Sequence, residues 1–118
     1  MQSANDFLTL AERDHKACIK MEEDFPDEYA VTAASYHIQQ AVEKALKGLI
    51  LLNGETPEFT RNIAKLSVQC DRIGVALPEQ IDDIADTLTL WESTSRYDPF
   101  VSFTKNKYET AKTVYNEL

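Results

Sequence analysis

Glycine and proline are scarce in this chain, with three glycines and four prolines in 118 residues. That scarcity excludes collagen-like and Pro/Gly-rich disordered classes, and it leaves few places where a helix must break. Two cysteines, Cys18 and Cys70, are too few for a secreted disulfide scaffold. With no basic and apolar leader at the start of the sequence, the expected setting is a reducing cytoplasm. No run approaches the roughly eighteen apolar residues of a membrane span, so no membrane partner is expected. Positive charge is also in deficit: twelve Lys and Arg stand against twenty Asp and Glu, a formal net charge of -8. An extended basic groove for a nucleic-acid backbone is therefore not expected. A small cleft with two or three basic groups can still act against the sign of the whole.

What is present is a chain 43% hydrophobic, enough at this length to bury about two thirds of the unfolded surface without disulfide or metal staples. There is no linker, repeat or low-complexity tract, which predicts one helical domain over residues 1–118. Pro26, Pro57, Pro78 and Pro99 cut the chain into pieces of helical length, and each piece carries helical periodicity. The first helix is expected from Ser3 or Asn5 to Met21, lined by Leu8, Ala11, His15, Cys18 and either Ile19 or Met21. Glu12 and Lys16 add an i,i+4 pair. The second, Glu28 to Leu52, carries two apolar stripes. Ala30, Ala34, His37, Ala41, Ala45, Gly48 and Leu52 form the narrow one, and Val31, Ile38, Val42, Leu46 and Leu49 its neighbour. Small residues on the first stripe predict a close helix partner.

Asn53-Gly54 supplies a stop, because glycine tolerates left-handed cap geometry. A short helix is expected over Asn62 to Arg72 with Ile63, Leu66, Cys70 and Ile73 inward, ended by Gly74. Pro78-Glu79 opens the next, whose apolar positions are Ile81, Ile84, Ala85, Leu88 and Trp91. A last helix capped by Ser102 or Thr104 shows Tyr108, Ala111, Tyr115 and Leu118 on one side. The predicted fold is all-α, an up-and-down bundle of four long helices and one short one.

Few residues are placed for chemistry. His37, Gln40, Lys44 and Lys47 share one side of the second helix and can face a shallow cleft. Arg96-Tyr97, beside Asp98-Pro99 at a helix junction, offers a planar fork for phosphate, a stacking ring and a hydroxyl. His15 reads as a packing residue at the edge of the first helix. Metal binding lacks ligands, since His15, Cys18, His37 and Cys70 are scattered and the acids Glu79, Asp82, Asp83 and Asp86 match no calcium or di-iron pattern. Neither cysteine has a base and orienter in sequence, and glycine-rich phosphate loops and serine elbows are missing. No cofactor is called for.

The run Ala34-Ser35-Tyr36-His37-Ile38-Gln39-Gln40-Ala41-Val42-Glu43-Lys44-Ala45-Leu46-Lys47-Gly48-Leu49 resembles the signature helix of HEPN domains, the higher eukaryote and prokaryote nucleotide-binding domains. Ser95-Arg96-Tyr97-Asp98-Pro99 is similar to the Ala-Arg-Tyr-Pro-Asp element before that family's last helix, with the final two residues reversed. The resemblance implies a helical bundle that often forms homodimers and is often paired with a minimal nucleotidyltransferase, in some cases as a toxin–antitoxin couple. Some members are metal-independent ribonucleases that use an Arg followed after four to six residues by His. In this chain no histidine follows His37. Thr60-Arg61-Asn62-Ile63 also stands where Thr-His-Asp-Leu is common, and an Arg cannot replace a neutral imidazole as a base, though it can retain anion contact.

These features predict a noncatalytic module that binds a nucleotide, an RNA phosphate or a nucleotidyltransferase partner. The expected ligand-binding set is His37, Gln40, Lys44, Lys47, Arg61, Arg96 and Tyr97. The enzymatic alternative, a ribonuclease with a degenerate site, would use His37 and Arg96. A purely structural interaction module is the third reading.

Overall fold

A computed structural model describes residues 3–25, 27–94 and 104–118. Among these residues the chain forms five helices and no strand: α1 (Ala4–Glu22), α2 (Glu28–Leu52), α3 (Ile63–Arg72), α4 (Gln80–Thr94) and α5 (Lys105–Glu117). With α3 at ten residues the shortest, this is the all-α, up-and-down bundle that the periodicity predicts.

Side-chain chemistry sets most of the starts. Ser3 accepts from the Asp6 backbone N–H while the Asp6 carboxylate accepts from the Ser3 N–H, a reciprocal cap for α1. Asp27 caps α2, Asn62 caps α3, and Thr104 rather than Ser102 is the cap seen at α5, accepting from the Lys107 N–H at 3.2 Å. Helix α4 begins at Gln80, two residues beyond Pro78. Gly54 and Gly74 follow α2 and α3 at φ +80° and +84°, a backbone that L side chains rarely adopt.

Helix α2 is the centre of the bundle and buries most of both predicted stripes. Ala34, Ile38, Ala41, Val42, Leu46 and Ile50 are fully enclosed. Three positions of the stripes differ: His37 and Leu49 are only partly buried, and Leu52 is exposed at the helix end. The most extensive helix contact is α1 on α2. Gly48 is one reason for it, because a Cβ there would stand 2.8 Å from Leu8 Cδ2 and 3.4 Å from the Ala4 carbonyl oxygen. Small residues therefore do what their spacing predicts and admit a neighbouring helix.

On α1, Ala11 and Cys18 are buried. Met21 packs on the core while Ile19 is exposed, which settles the choice between them. Trp91 closes α4 against the core, joined by Leu88, Ile84 and Ile81. In α5, Tyr108, Ala111 and Val114 are buried, the last unforeseen from the pattern. Asp82, Asp83 and Asp86 face solvent. No helix among the described residues is long and apolar enough to cross a membrane.

Candidate functional site

Four of the seven expected ligand-binding residues meet at one place. Gln40, Lys44 and Lys47 from α2 and Arg61 from the loop before α3 line a cleft of about 680 Å³. Phe7 and Leu10 of α1 and Phe59 of the loop add an apolar wall, with Glu43 and Glu58 completing the polar side. The spacing of 40, 44 and 47 puts the three α2 side chains on successive turns of one face.

His37 is joined to this group through a residue the sequence pattern did not single out. Asp14 of α1 takes the Lys44 ammonium on one carboxylate oxygen at 2.6 Å and His37 Nδ1 on the other at 2.9 Å. The Asp14 side chain is 13% exposed and that of His37 33%. A carboxylate at Nδ1 favours the tautomer that carries its proton there, leaving Nε2 as the acceptor nitrogen. Asp14 lacks any local sequence signal, because its partners come from a different helix. Only the docking of α1 on α2 brings it to them.

A second polar row runs along α2 itself. The Lys47 ammonium donates to Glu43 Oε2 at 3.2 Å, Gln39 Nε2 donates to Glu43 Oε1 at 3.4 Å, and Gln40 Nε2 donates to Gln39 Oε1 at 2.6 Å. Gln39 is fully buried and Glu43 nearly so. One turn earlier, the Ser35 hydroxyl is enclosed without a hydrogen-bond partner. Burying this much polarity opposes folding unless the groups satisfy one another, and most of them do.

The loop wall is braced from α3. Gln69, itself buried, donates from Nε2 to the Thr56 carbonyl at 2.8 Å and accepts the Glu58 N–H on Oε1 at 3.0 Å. Thr60 N–H donates to the Glu58 carbonyl, and Arg72 pairs with the Glu58 carboxylate at 3.4 Å. Phe59 sits within this braced turn and is fully exposed.

Electrostatically the cleft is mixed. Lys44, Lys47 and Arg61 bring cations to it, with Asp14 paired to Lys44, Glu43 to Lys47, and Glu58 to the nearby Arg72. The carboxylates fix where the ammoniums stand while leaving each with further N–H donors. Such donors can contact an anion.

The remaining expectations fall elsewhere. Arg96 and Tyr97 lie outside the described residues. His15 is a packing group, its ring 4.7 Å from that of Tyr115 and its Nε2 enclosed without a partner. Burial, aided by the Lys112 charge, holds its pKa below the usual imidazole value. Cys18 lies in the core with its thiol pushed up to about 12 by burial, and Cys70 similarly to about 11, so neither is a ready nucleophile. No three His, Cys, Asp or Glu side chains gather in a metal-binding cluster among the described residues.

The bundle, the α2 signature helix and its polar face together define a recognisable class. The family model of the HEPN domain matches residues 4–118, and the chain belongs to that family. No curated protein and no solved structure gives a match to it.

Proposed function

We propose that this chain is a noncatalytic, one-domain HEPN module whose α2 cleft binds the phosphate of a nucleotide, and which acts as a homodimer beside a minimal nucleotidyltransferase in a toxin–antitoxin-like pair. The observation that carries the ligand reading is the convergence of Gln40, Lys44, Lys47 and Arg61 on one cleft. The Arg-to-His spacing of the ribonuclease members is missing from the sequence, which favours binding over cleavage. In the cleft the two ammoniums and the guanidinium act as donors to phosphate oxygens, with Asp14 and Glu43 holding the lysines in place.

Titration calorimetry with ribose 5-phosphate tests this directly. Saturable binding that Lys44→Ala and Lys47→Ala weaken at least tenfold is the expected result, and heat of dilution alone would refute it. The dimer is checked by sedimentation over a wide concentration range.

One observation favours a second reading. His37 is partly exposed and oriented by a carboxylate, the arrangement of a general base steered by its partner. A ribonuclease reading requires that Nε2 accept the proton of a ribose 2′-hydroxyl. Metal-free RNA cleavage that vanishes in His37→Ala and persists in His15→Ala is its signature.

A further inference from the structure

Two neighbouring helices, α3 and α4, present opposite charge to solvent. On α3, Lys65, Val68 and Arg72 line a shallow groove of about 430 Å³ with Asn62, Ala64 and, from the loop, Glu58. Helical spacing puts Val68 between the two cations, three residues from one and four from the other, and it is 55% exposed. Lys65 is in no ion pair among the described residues. Arg72 reaches Glu58 at 3.4 Å, but with side chains 64% and 46% exposed such a pair contributes little. The outward stripe of α4 is Asp82, Asp83 and Asp86, all exposed and none paired with a cation among the described residues. Exposed large apolar side chains gather on the same stretch, with Phe59 before α3, Val68 on it and Leu90 on α4. Apolar side chains with charge at their margins are what a protein interface presents.

The register of the two helices shows how a second copy fits. The Ile63 N–H at the start of α3 donates to Thr89 Oγ1 near the end of α4 at 3.1 Å, so the helices run antiparallel. Equal rise per residue then puts Lys65 level with Thr87, beside Asp86, and Arg72 level with Gln80, within a turn of Asp82. A two-fold axis can stack this helix pair on a copy of itself in two ways. With the axis across the helices, α4 lies on α4 and the aspartates of the two copies oppose one another. With the axis along the helices, α3 of one copy lies on α4 of the other and every residue keeps its level, so cation meets carboxylate. Juxtaposed like charges count heavily against an interface, and a chain of formal net charge -8 has none to spare.

We infer that the homodimer forms through the α3–α4 face about an axis along the helices, with Lys65 of each protomer against the partner's Asp86, Arg72 against the partner's Asp82, and Val68 in the apolar centre. This inference rests on the homodimer reading above and adds to it the surface, the orientation and the residues that select them. Glu58 lines both the α3 groove and the α2 cleft, so each cleft opens beside the interface. A contact made in a two-fold interface occurs twice, and a single substitution is therefore felt twice.

The test is sedimentation of the full chain and its charge-reversed variants over a wide concentration range. The unaltered protein is expected to give a monomer–dimer equilibrium with nothing larger. Lys65→Glu and Asp86→Lys should each weaken the dimer about tenfold or more, and the two together should restore most of the loss, because the pair is then reversed rather than broken. Val68→Asp should weaken it at least as much as either. Unaltered helical circular dichroism in all variants shows that the fold is intact, and recovery in the combined variant could not come from a damaged one. A dimer indifferent to Lys65→Glu and Asp86→Lys overturns this surface and leaves the homodimer reading standing. Loss in both single variants without recovery in the combined one overturns the orientation. Assemblies that keep growing with concentration overturn the two-fold arrangement, and a monomer at every concentration overturns the homodimer reading as well.

Discussion

Helix α1 carries two carboxylates, eight residues apart, that do the same thing in chemical outline. Asp14 receives the ring nitrogen of His37 and the ammonium of Lys44 from α2, and Glu22 receives the hydroxyl of Tyr108 at 2.8 Å and the ammonium of Lys112 at 2.9 Å from α5. The two lysines are nearly equally covered, with side chains 23% and 20% exposed. The rings differ. Tyr108 is fully enclosed, with its hydroxyl committed to Glu22 and its ring edge-on to Phe25. His37 reaches the surface next to a cleft. Burial opposes the charge of Glu22, but the hydrogen bonds from Lys112 and Tyr108 outweigh it and hold the carboxyl below its ordinary value. Burial, with the Glu22 bond, pushes the Tyr108 hydroxyl far above the usual phenol range. One group is thus a closed fastening between helices, while the other is partly open to solvent.

Removing the ring from the closed group should have the largest effect. Tyr108→Ala is expected to lose about 3–5 kcal/mol of stability in denaturant titration, since a fully buried aromatic is replaced by a cavity. Glu22→Gln should cost less, about 1–2 kcal/mol, because the carboxylate is partly screened by solvent and the amide keeps some hydrogen bonding. A loss above that of Tyr108→Ala would make the ion pair, not the packing, the source of the fastening.

Acid should reveal His15, which packs beside this group. Its folded pKa lies below the ordinary 6.5, so as pH falls below 6.5 the unfolded chain takes up a proton that the folded chain resists. Stability therefore falls with pH in that window. Glu22, whose pKa is lowered from 4.5, adds a loss in a separate window below that value. His15→Phe should flatten the first window and leave the second, as measured by melting temperature against pH.

The open group should respond in binding more than in folding. Asp14→Asn is expected to strengthen ribose 5-phosphate binding several-fold, because a carboxylate competing for Lys44 is gone. Calorimetry showing weaker binding instead would make Asp14 chiefly an orienter of the lysine. Smallest of all is the effect of Phe59→Ala on stability, expected within about 0.5 kcal/mol of the unaltered chain for so exposed a position.

The contrast also explains which parts of the molecule were legible in the sequence. Helical stripes record contacts at fixed spacing along one element, so Ile38, Leu46, Ile84, Leu88 and Trp91 declare themselves as core. Caps are equally local, as Ser3 with Asp6 illustrates. The α2 half of the site was readable for the same reason, since Gln40, Lys44 and Lys47 share one helix face. Asp14 and Gln69 were not, because each acts on residues of another element, and nothing in the spacing of one helix encodes which carboxylate or amide the docking of another will deliver. Glu43 stands in the signature run, where Lys47 and Gln39 close around it.

The Gln69 bridge has one more consequence. Because the Glu58 N–H donates to a buried side-chain oxygen eleven residues away, this loop amide should exchange with deuterated water far more slowly than its exposed position implies. It would serve as a built-in reporter: a ligand that seats against the loop should slow its exchange further, and one that pries the loop from α3 should release it.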